Sequence, residues 1–233
     1  IESGAAGDFT TGMYLEALLR FDGINGTSTP VAAGDLGYEL IAYSQIEIIG
    51  LNPLGNGTSE VIYGATGNLG ANVVVEVYEN TNANTISFSD DPVTAISNVL
   101  GSGDFSLVAE FGFGDVDDFW SGLLPTSLSD FFAIGDNTGT PDQASGVFGL
   151  SLLNNPGGLN IVTNGIMSGA SGQYHDLVGN ASASERSSTF DNGWAVETDT
   201  QVKFMVVPEP GILLLMGAGL FGVGIARRRQ IKH

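Results

Sequence analysis

The acids of Gly114-Asp115-Val116-Asp117-Asp118-Phe119-Trp120, and of Gly135-Asp136-Asn137 with Asp142 beyond, make two oxygen-rich stretches among turn residues. Calcium takes about six to eight oxygen ligands from carboxylates and carbonyls on flexible loops. Asp115, Asp117, Asp118 and Asp136 are therefore candidate ligands for a structural Ca2+. Neither stretch has the EF-hand spacing with its distal Glu, and solvated turns and caps account for the same residues. Trp120, and Trp194 with Tyr174, offer faces on which a sugar ring could stack; core packing is the competing use.

Nucleophilic catalysis of the Ser–His–acid kind needs a histidine. Apart from His233 at the end, the chain has only His175, in Gly172-Gln173-Tyr174-His175-Asp176. It reads as a solvated loop histidine, and no G-x-S-x-G elbow accompanies it. Cysteine is absent, which removes thiolate chemistry and disulfides. A zinc site, which needs three or four ligands, is not built from one histidine. No P-loop occurs. The one G-x-G-x-x-G match, Gly217 to Gly222, lies inside an apolar run rather than at a strand–helix junction. No catalytic residue is assigned, and the expectation is a protein that is not an enzyme. Asn25-Gly26-Thr27, Asn56-Gly57-Thr58 and Asn180-Ala181-Ser182 fit the N-glycosylation acceptor pattern and are equally plain turn chemistry.

The formal charge is −19, and it is unevenly placed. Four of the seven basic residues (Arg227, Arg228, Arg229, Lys232) follow the apolar run, while Glu209 is the only acid beyond residue 207. Residues 1–207 thus keep 25 of the 26 acids against 3 of the 7 bases. Such a surface repels nucleic acid and anionic lipid, which require basic patches. The chain opens at Ile1 without a basic and apolar leader. This fits a mature N-terminus after signal-peptide removal or a trimmed numbering.

These residues must be positioned by short β segments. Strands are expected at Met13–Phe21, Tyr38–Ile49, Glu60–Ala65, Ala71–Glu79, Ile86–Ser89, Asp104–Phe113, Gly146–Leu153, Leu159–Met167, Trp194–Glu197 and Thr200–Val207. Ala71–Glu79 alternates as a half-buried strand, with Val73, Val75 and Val77 on one face. Pro92–Leu100 is expected as a helix capped by Asp91. Asp115–Leu124 and Ser127–Phe132 read as helical turns, Asn56-Gly57 as a turn, Asn154–Gly158 as a hairpin tip, and Gly169–Ser188 as a mobile loop. The sum is a mainly β protein. After a flexible lead-in at 1–11, residues 12–207 form an acidic antiparallel β-sandwich or jelly-roll-like body with long loops.

Residues 208–233 are different. Pro208-Glu209-Pro210 precedes sixteen apolar residues, Gly211–Ala226, and then Arg227-Arg228-Arg229. At a 1.5 Å rise the run is about 24 Å long as a helix, short of the ~30 Å hydrocarbon core, which it could just span with Val206-Val207 or local thinning of the bilayer. It is expected to be a transmembrane helix with a cytoplasmic, arginine-stopped C-terminus and the body outside. Ala218, Gly222 and Ala226 form a small-residue stripe on which another helix could pack.

The order Val-Pro-Glu-Pro, short glycine-rich apolar run, then Arg-Arg-Arg resembles the PEP-CTERM sorting domain of exported bacterial proteins. The resemblance covers about 26 residues. It implies recognition of Pro208, Glu209 and Pro210 by an exosortase-type membrane enzyme, an inner-membrane segment at Gly211–Ala226, and a stop at Arg227–Arg229. It further implies an exported protein, anchored in the inner membrane with its body periplasmic or placed on the cell surface after processing. Proteins of this kind commonly accompany exopolysaccharide or matrix production. Three roles follow as expectations. They are a non-enzymatic structural or interaction protein of the envelope or extracellular matrix, an accessory subunit whose helix packs on those of a membrane-protein complex or polymer, and a carbohydrate-binding or calcium-dependent adhesive module.

Overall fold

The structure, a computed structural model, describes residues 8–21, 39–80, 91–127, 144–159, 161–185 and 197–204. They form β1 (Tyr14–Arg20), β2 (Glu39–Pro53), β3 (Thr58–Ala65), β4 (Val73–Asn80), α1 (Pro92–Gly101), β5 (Phe105–Gly112), β6 (Phe119–Pro125), β7 (Ala144–Asn154), β8 (Ile166–Met167), β9 (Tyr174–His175), β10 (Leu177–Glu185) and β11 (Glu197–Phe204). The body is mainly β, and every strand pairing is antiparallel.

Nine strands make one sheet, and its order follows from the register. β1 and β4 both pair with residues 41–44 of β2, so they lie on opposite edges. β1 and β3 both pair with 46–47, so β3 shares the β4 edge. β3 and β4 thus run end to end along β2, from Ala65 opposite Ile46 to Val75 opposite Ser44, with 66–72 as an excursion between them. β5 and β6 repeat the device against β7. Gly112 faces Ser151 and Phe119 faces Gly149, so residues 113–118 are an excursion from one continuous pairing. The two interrupted strands pair with each other, and β10 and β11 extend the sheet beyond β7.

One face of this sheet encloses the main core. Ile48, Val61, Phe111, Leu150 and Leu177 are almost wholly buried there. Each such side chain contributes about 1.5–3 kcal/mol by leaving water. The rings of Phe21, just past β1, and Phe204, at the end of β11, meet edge to face with centroids 6.2 Å apart. The sheet therefore curls until its first and last strands approach. On the opposite face α1 lays Val99 on Ile41, against Leu18, Tyr78 and Phe105. Asp91 caps α1 by accepting from the Thr94 amide at 3.0 Å, and Pro92 opens it.

Several expectations change. Asp115–Leu124 is a turn followed by β6, not helical turns, because β3 and β7 both present ladder partners to it. Val74 and Glu76 are buried along with Val73, Val75 and Val77, so β4 is covered on both faces rather than half-buried. Bulges at Val73/Val75 and Val77/Tyr78 disturb its alternation. Leu159–Met167 is not a strand: Ile161 makes a single bridge, and only Ile166–Met167 pairs, with Tyr174–His175. Asn154–Gly158 turns the chain, with the Asn155 side chain bonded to both backbone groups of Leu159, but β7 pairs elsewhere. Gly169–Ser188 is not a mobile loop in its described part. It holds β9 and β10, the latter clamped between β7 and β11. Its small residues have a packing cause, since a Cβ at Gly179 would sit 2.2 Å from the Phe148 ring. Ile86–Ser89 lies outside the described residues, as do Asp136, Trp194 and the whole of 205–233. Among the described residues no helix is long and apolar enough to cross a membrane.

Candidate functional site

The excursion between β5 and β6 closes on itself. Asp118 turns its Oδ2 back to accept from the amides of Gly114 at 2.6 Å and Asp115 at 2.9 Å. Asp115 and Asp117 share a hydrogen bond at the rim. That bond is the main cause holding Asp115 below the ordinary carboxylate range, and the main cause pushing Asp117 above it. The other oxygen of Asp118, Oδ1, lies 3.3 Å from Nδ1 of His175, and both side chains are shut off from water.

His175 ends β9 and is 1 % exposed, so it is not the solvated histidine expected from its sequence context. The Phe119 ring meets it edge-on at 5.6 Å. Gly149 lies under it, where a Cβ would come within 2.4 Å of Cδ2. On its far side, Nε2 is 3.2 Å from Oγ of Ser171. A carboxylate accepts only, so in the neutral ring Nδ1 carries the proton toward Asp118 and Nε2 accepts from the Ser171 hydroxyl. Ser171 is exposed, in a tight turn between β8 and β9. That turn is closed by Ser168 N–H donating to Gln173 O at 2.8 Å and Gly172 N–H to Ser168 O at 2.9 Å. Gly172 adopts φ +72°, which favours glycine. Asp176, next to the histidine, accepts from Leu152 N–H at 2.7 Å and from Asn164 N–H, which fixes this segment to β7.

A second polar array crosses the sheet face opposite the main core. Glu16 accepts from the Tyr43 hydroxyl at 2.6 Å and the Gln45 amide at 2.9 Å. Gln45 in turn accepts from Thr66 and Asn68 in the other excursion. Tyr43 is paired with Glu76, Glu76 with Glu110, and Glu110 with Asn154, one residue per strand. Glu76 accepts from Tyr78 at 2.7 Å, and Asn154 donates to Glu110. Burial raises the Glu76 carboxyl, Glu110 raises it further, and the Tyr78 bond opposes both. Burial is also the leading cause that pushes the phenols of Tyr43 and Tyr78 above their usual range, ahead of Glu16 and Glu76 respectively.

Of the candidate calcium ligands, Asp115, Asp117 and Asp118 share the 113–118 excursion. Among the described residues no group of three or more His, Asp or Glu side chains is placed to hold a metal. Trp120 packs its ring on Phe148 at 4.5 Å and against the edge of Tyr63 at 6.4 Å, within the core. Tyr174 is 55 % exposed. Asn56-Gly57-Thr58 forms the β2–β3 turn, where Asn56 accepts from Thr58 N–H at 3.1 Å, and Asn180-Ala181-Ser182 lies within β10. Pro208, Glu209, Pro210, Ala218, Gly222, Ala226 and Arg227–Arg229 lie outside the described residues. The Asp118–His175–Ser171 line was not legible in the sequence, where 57 residues separate the acid from the histidine. The only available signal was a His flanked by Ser171 and Asp176 in a chain with so few histidines.

No curated protein and no solved structure matches the chain significantly. Residues 206–230 match the family model of the PEP-CTERM protein-sorting motif, two residues beyond the end of β11, so the chain carries the address of an exported protein that an exosortase sorts to the cell envelope.

Proposed function

We propose that this is a non-enzymatic structural or interaction protein of the bacterial envelope or extracellular matrix. Its acidic β body is displayed outside the inner membrane by the PEP-CTERM tail. The observation that carries the reading is the sorting motif placed directly after the last strand. In this reading an exosortase-type enzyme recognises Pro208-Glu209-Pro210. Gly211–Ala226 crosses the inner membrane until processing, and Arg227–Arg229 stay cytoplasmic. The body is read as one curled sheet closing toward a barrel rather than two packed sheets, supported by the contact of Phe21 with Phe204, which brings the two edges of the sheet together over one core.

A second reading, a carbohydrate-binding module, is favoured by the polar array. Glu16, Glu110 and Asn154 present carboxylates and an amide on this face, groups that suit sugar hydroxyls, and the buried Gln45 and Glu76 lie between them on the intervening strands. It replaces Trp120, whose ring is engaged by Phe148. The test is mass spectrometry of the C-terminal residue of protein taken from cells with and without an active exosortase. Cleavage near Pro210 only in the former supports the sorting reading. An intact His233 in both, with the protein in the cytoplasm, overturns it.

A further inference from the structure

We propose that Ser171 is a base-activated hydroxyl that takes up one acyl group from an activated ester, a covalent modification site on the body. The inference goes beyond export and display and does not depend on them.

Three features single out this serine. Its hydroxyl is exposed yet bonded to Nε2 of His175, 3.2 Å away. The imidazole is 1 % exposed, and its Nδ1 is held by the buried Asp118 carboxylate at 3.3 Å, so the basic nitrogen is aimed at the serine. Asp118 is itself fixed, since its second oxygen holds the amides of Gly114 and Asp115. This is the arrangement by which a histidine with an orienting carboxylate activates a hydroxyl. On the same hairpin, Met167 and Tyr174 pair across the strands and are 58 % and 55 % exposed. They give an apolar acyl chain a surface beside the serine.

In the step, the Ser171 Oγ–acyl carbon bond forms as the bond from that carbon to the alkoxy oxygen of the ester breaks. The hydroxyl proton passes to His175 Nε2 and then to the departing oxygen. The products are an acyl-serine and an alcohol, with no change of oxidation state.

The surroundings favour a single transfer over turnover. Catalytic hydrolysis needs preorganised N–H donors for the oxyanion of each tetrahedral intermediate. Here the Ala170 amide donates to Ser168 Oγ, Gly172 to Ser168 O, and Gln173 to Ser171 Oγ itself. With these committed, an activated donor supplies the driving force for acylation, and the acyl-serine is not turned over rapidly.

The test uses the full chain, p-nitrophenyl acetate as the acyl donor, and peptide mapping by mass spectrometry. One acetyl group per chain is expected on Ser171, absent in Ser171→Ala. The rate should fall about 10²-fold in His175→Gln, the usual worth of a positioned general base. Because replacing a buried histidine can unfold the body, occupancy of Ser171 relative to the chain's other serines is read in the protein without substitutions. A strong excess at Ser171 supports the proposal without any variant. Acetyl groups spread over many serines, or a folded His175→Gln that reacts at the same rate, overturn it. Nitrophenol released well beyond one equivalent, and lost in Ser171→Ala, also overturns it in favour of a hydrolase. That last outcome would sink the non-enzymatic reading while leaving the sorting address in place.

Discussion

Glu76 and Glu110 face each other directly across the β4–β5 pair, and Glu76 is buried. Like charges opposite one another in a sheet are unfavourable by roughly 0.2–1 kcal/mol. Burial raises the Glu76 carboxyl, with Glu110 adding to the shift. A carboxyl whose folded pKa lies above its unfolded one holds its proton better in the native state. Its stabilising contribution is therefore present at low pH and is lost as pH rises from the ordinary glutamate value through the raised one.

Glu76→Gln removes that loss, because the amide oxygen still accepts from Tyr78 and nothing needs to ionise. The variant is expected to melt about 2–4 °C higher than the parent at neutral pH, on the order of 1 kcal/mol for a body of this size. The gain should vanish toward pH 4. Thermal melts followed by circular dichroism over that range decide it, and a variant that melts lower at neutral pH refutes the account.

The junction of β7 with His175 has no spare volume. A methyl at Gly149 would lie 2.4 Å from Cδ2, 2.6 Å from Nε2 and 2.7 Å from Cγ of the buried ring. Gly149→Ala should cost roughly 1–3 kcal/mol, the range for overpacking a filled core. It should also displace the imidazole from Asp118 and Ser171. Urea denaturation gives the stability change, and the histidine ring NMR signals report the displacement. An unchanged midpoint would mean that the hairpin carrying His175 is not seated on β7.

Trp120 separates core from ligand platform. With its ring on Phe148 and Tyr63, Trp120→Ala should destabilise the body by about 3 kcal/mol, the lower end for large aromatic truncations because the ring is only partly buried. Polysaccharide binding measured well below the melting temperature should survive in this variant. It should weaken in Glu16→Ala, where the acceptor shared by Tyr43 and Gln45 is lost. The reverse pattern would return sugar recognition to the tryptophan.

The three clustered aspartates give a sharper expectation for metal. Asp118 has both oxygens engaged by N–H groups, and Asp115 and Asp117 bond to each other. EDTA and millimolar calcium are both expected to leave the melting temperature of the parent unchanged. A rise with calcium, reversed by EDTA and lost in Asp115→Asn, would establish a cation site at this excursion.

Strand existence was legible wherever alternation met turn residues. β2, β5 and β7 lie close to where their patterns place them, and the Asp91-Pro92 start of α1 is local capping chemistry. β6 and β10 were not legible, and for one reason. Phe119–Pro125 and Leu177–Glu185 are strands because both neighbouring strands offer hydrogen-bonding partners, a fact of tertiary position and not of local propensity. Gly179 illustrates it, since the same glycine that suggests a loose loop is what the Phe148 ring requires. The His175 link failed for a related reason. Its acid arrives from the 113–118 excursion, whose place is fixed only once β5 and β6 share β7. The tail lies at the other extreme, because a triplet, an apolar run and a basic stop act in linear order and need no fold to be recognised.

A tail readable without a fold leads to the last prediction. β11 pairs with β10 through residues 197–204, and the sorting motif begins at 206. Phe204 reaches the core through its contact with Phe21. A chain ending at Val207 retains all of these contacts and is expected to melt within about 2 °C of the full-length protein, a change on the order of 0.5 kcal/mol for a body of this size. Its location should change completely. The full chain is expected in the membrane fraction or at the cell surface, and the shortened one is expected free in the soluble exported fraction. Replacing Pro208-Glu209-Pro210 by three alanines should give a third outcome, a membrane-retained and unprocessed protein with the same melting temperature. Fractionation with immunoblotting, beside melts of the purified proteins, separates these cases. A large drop in melting temperature on shortening would show that the tail packs on the body and is more than an address.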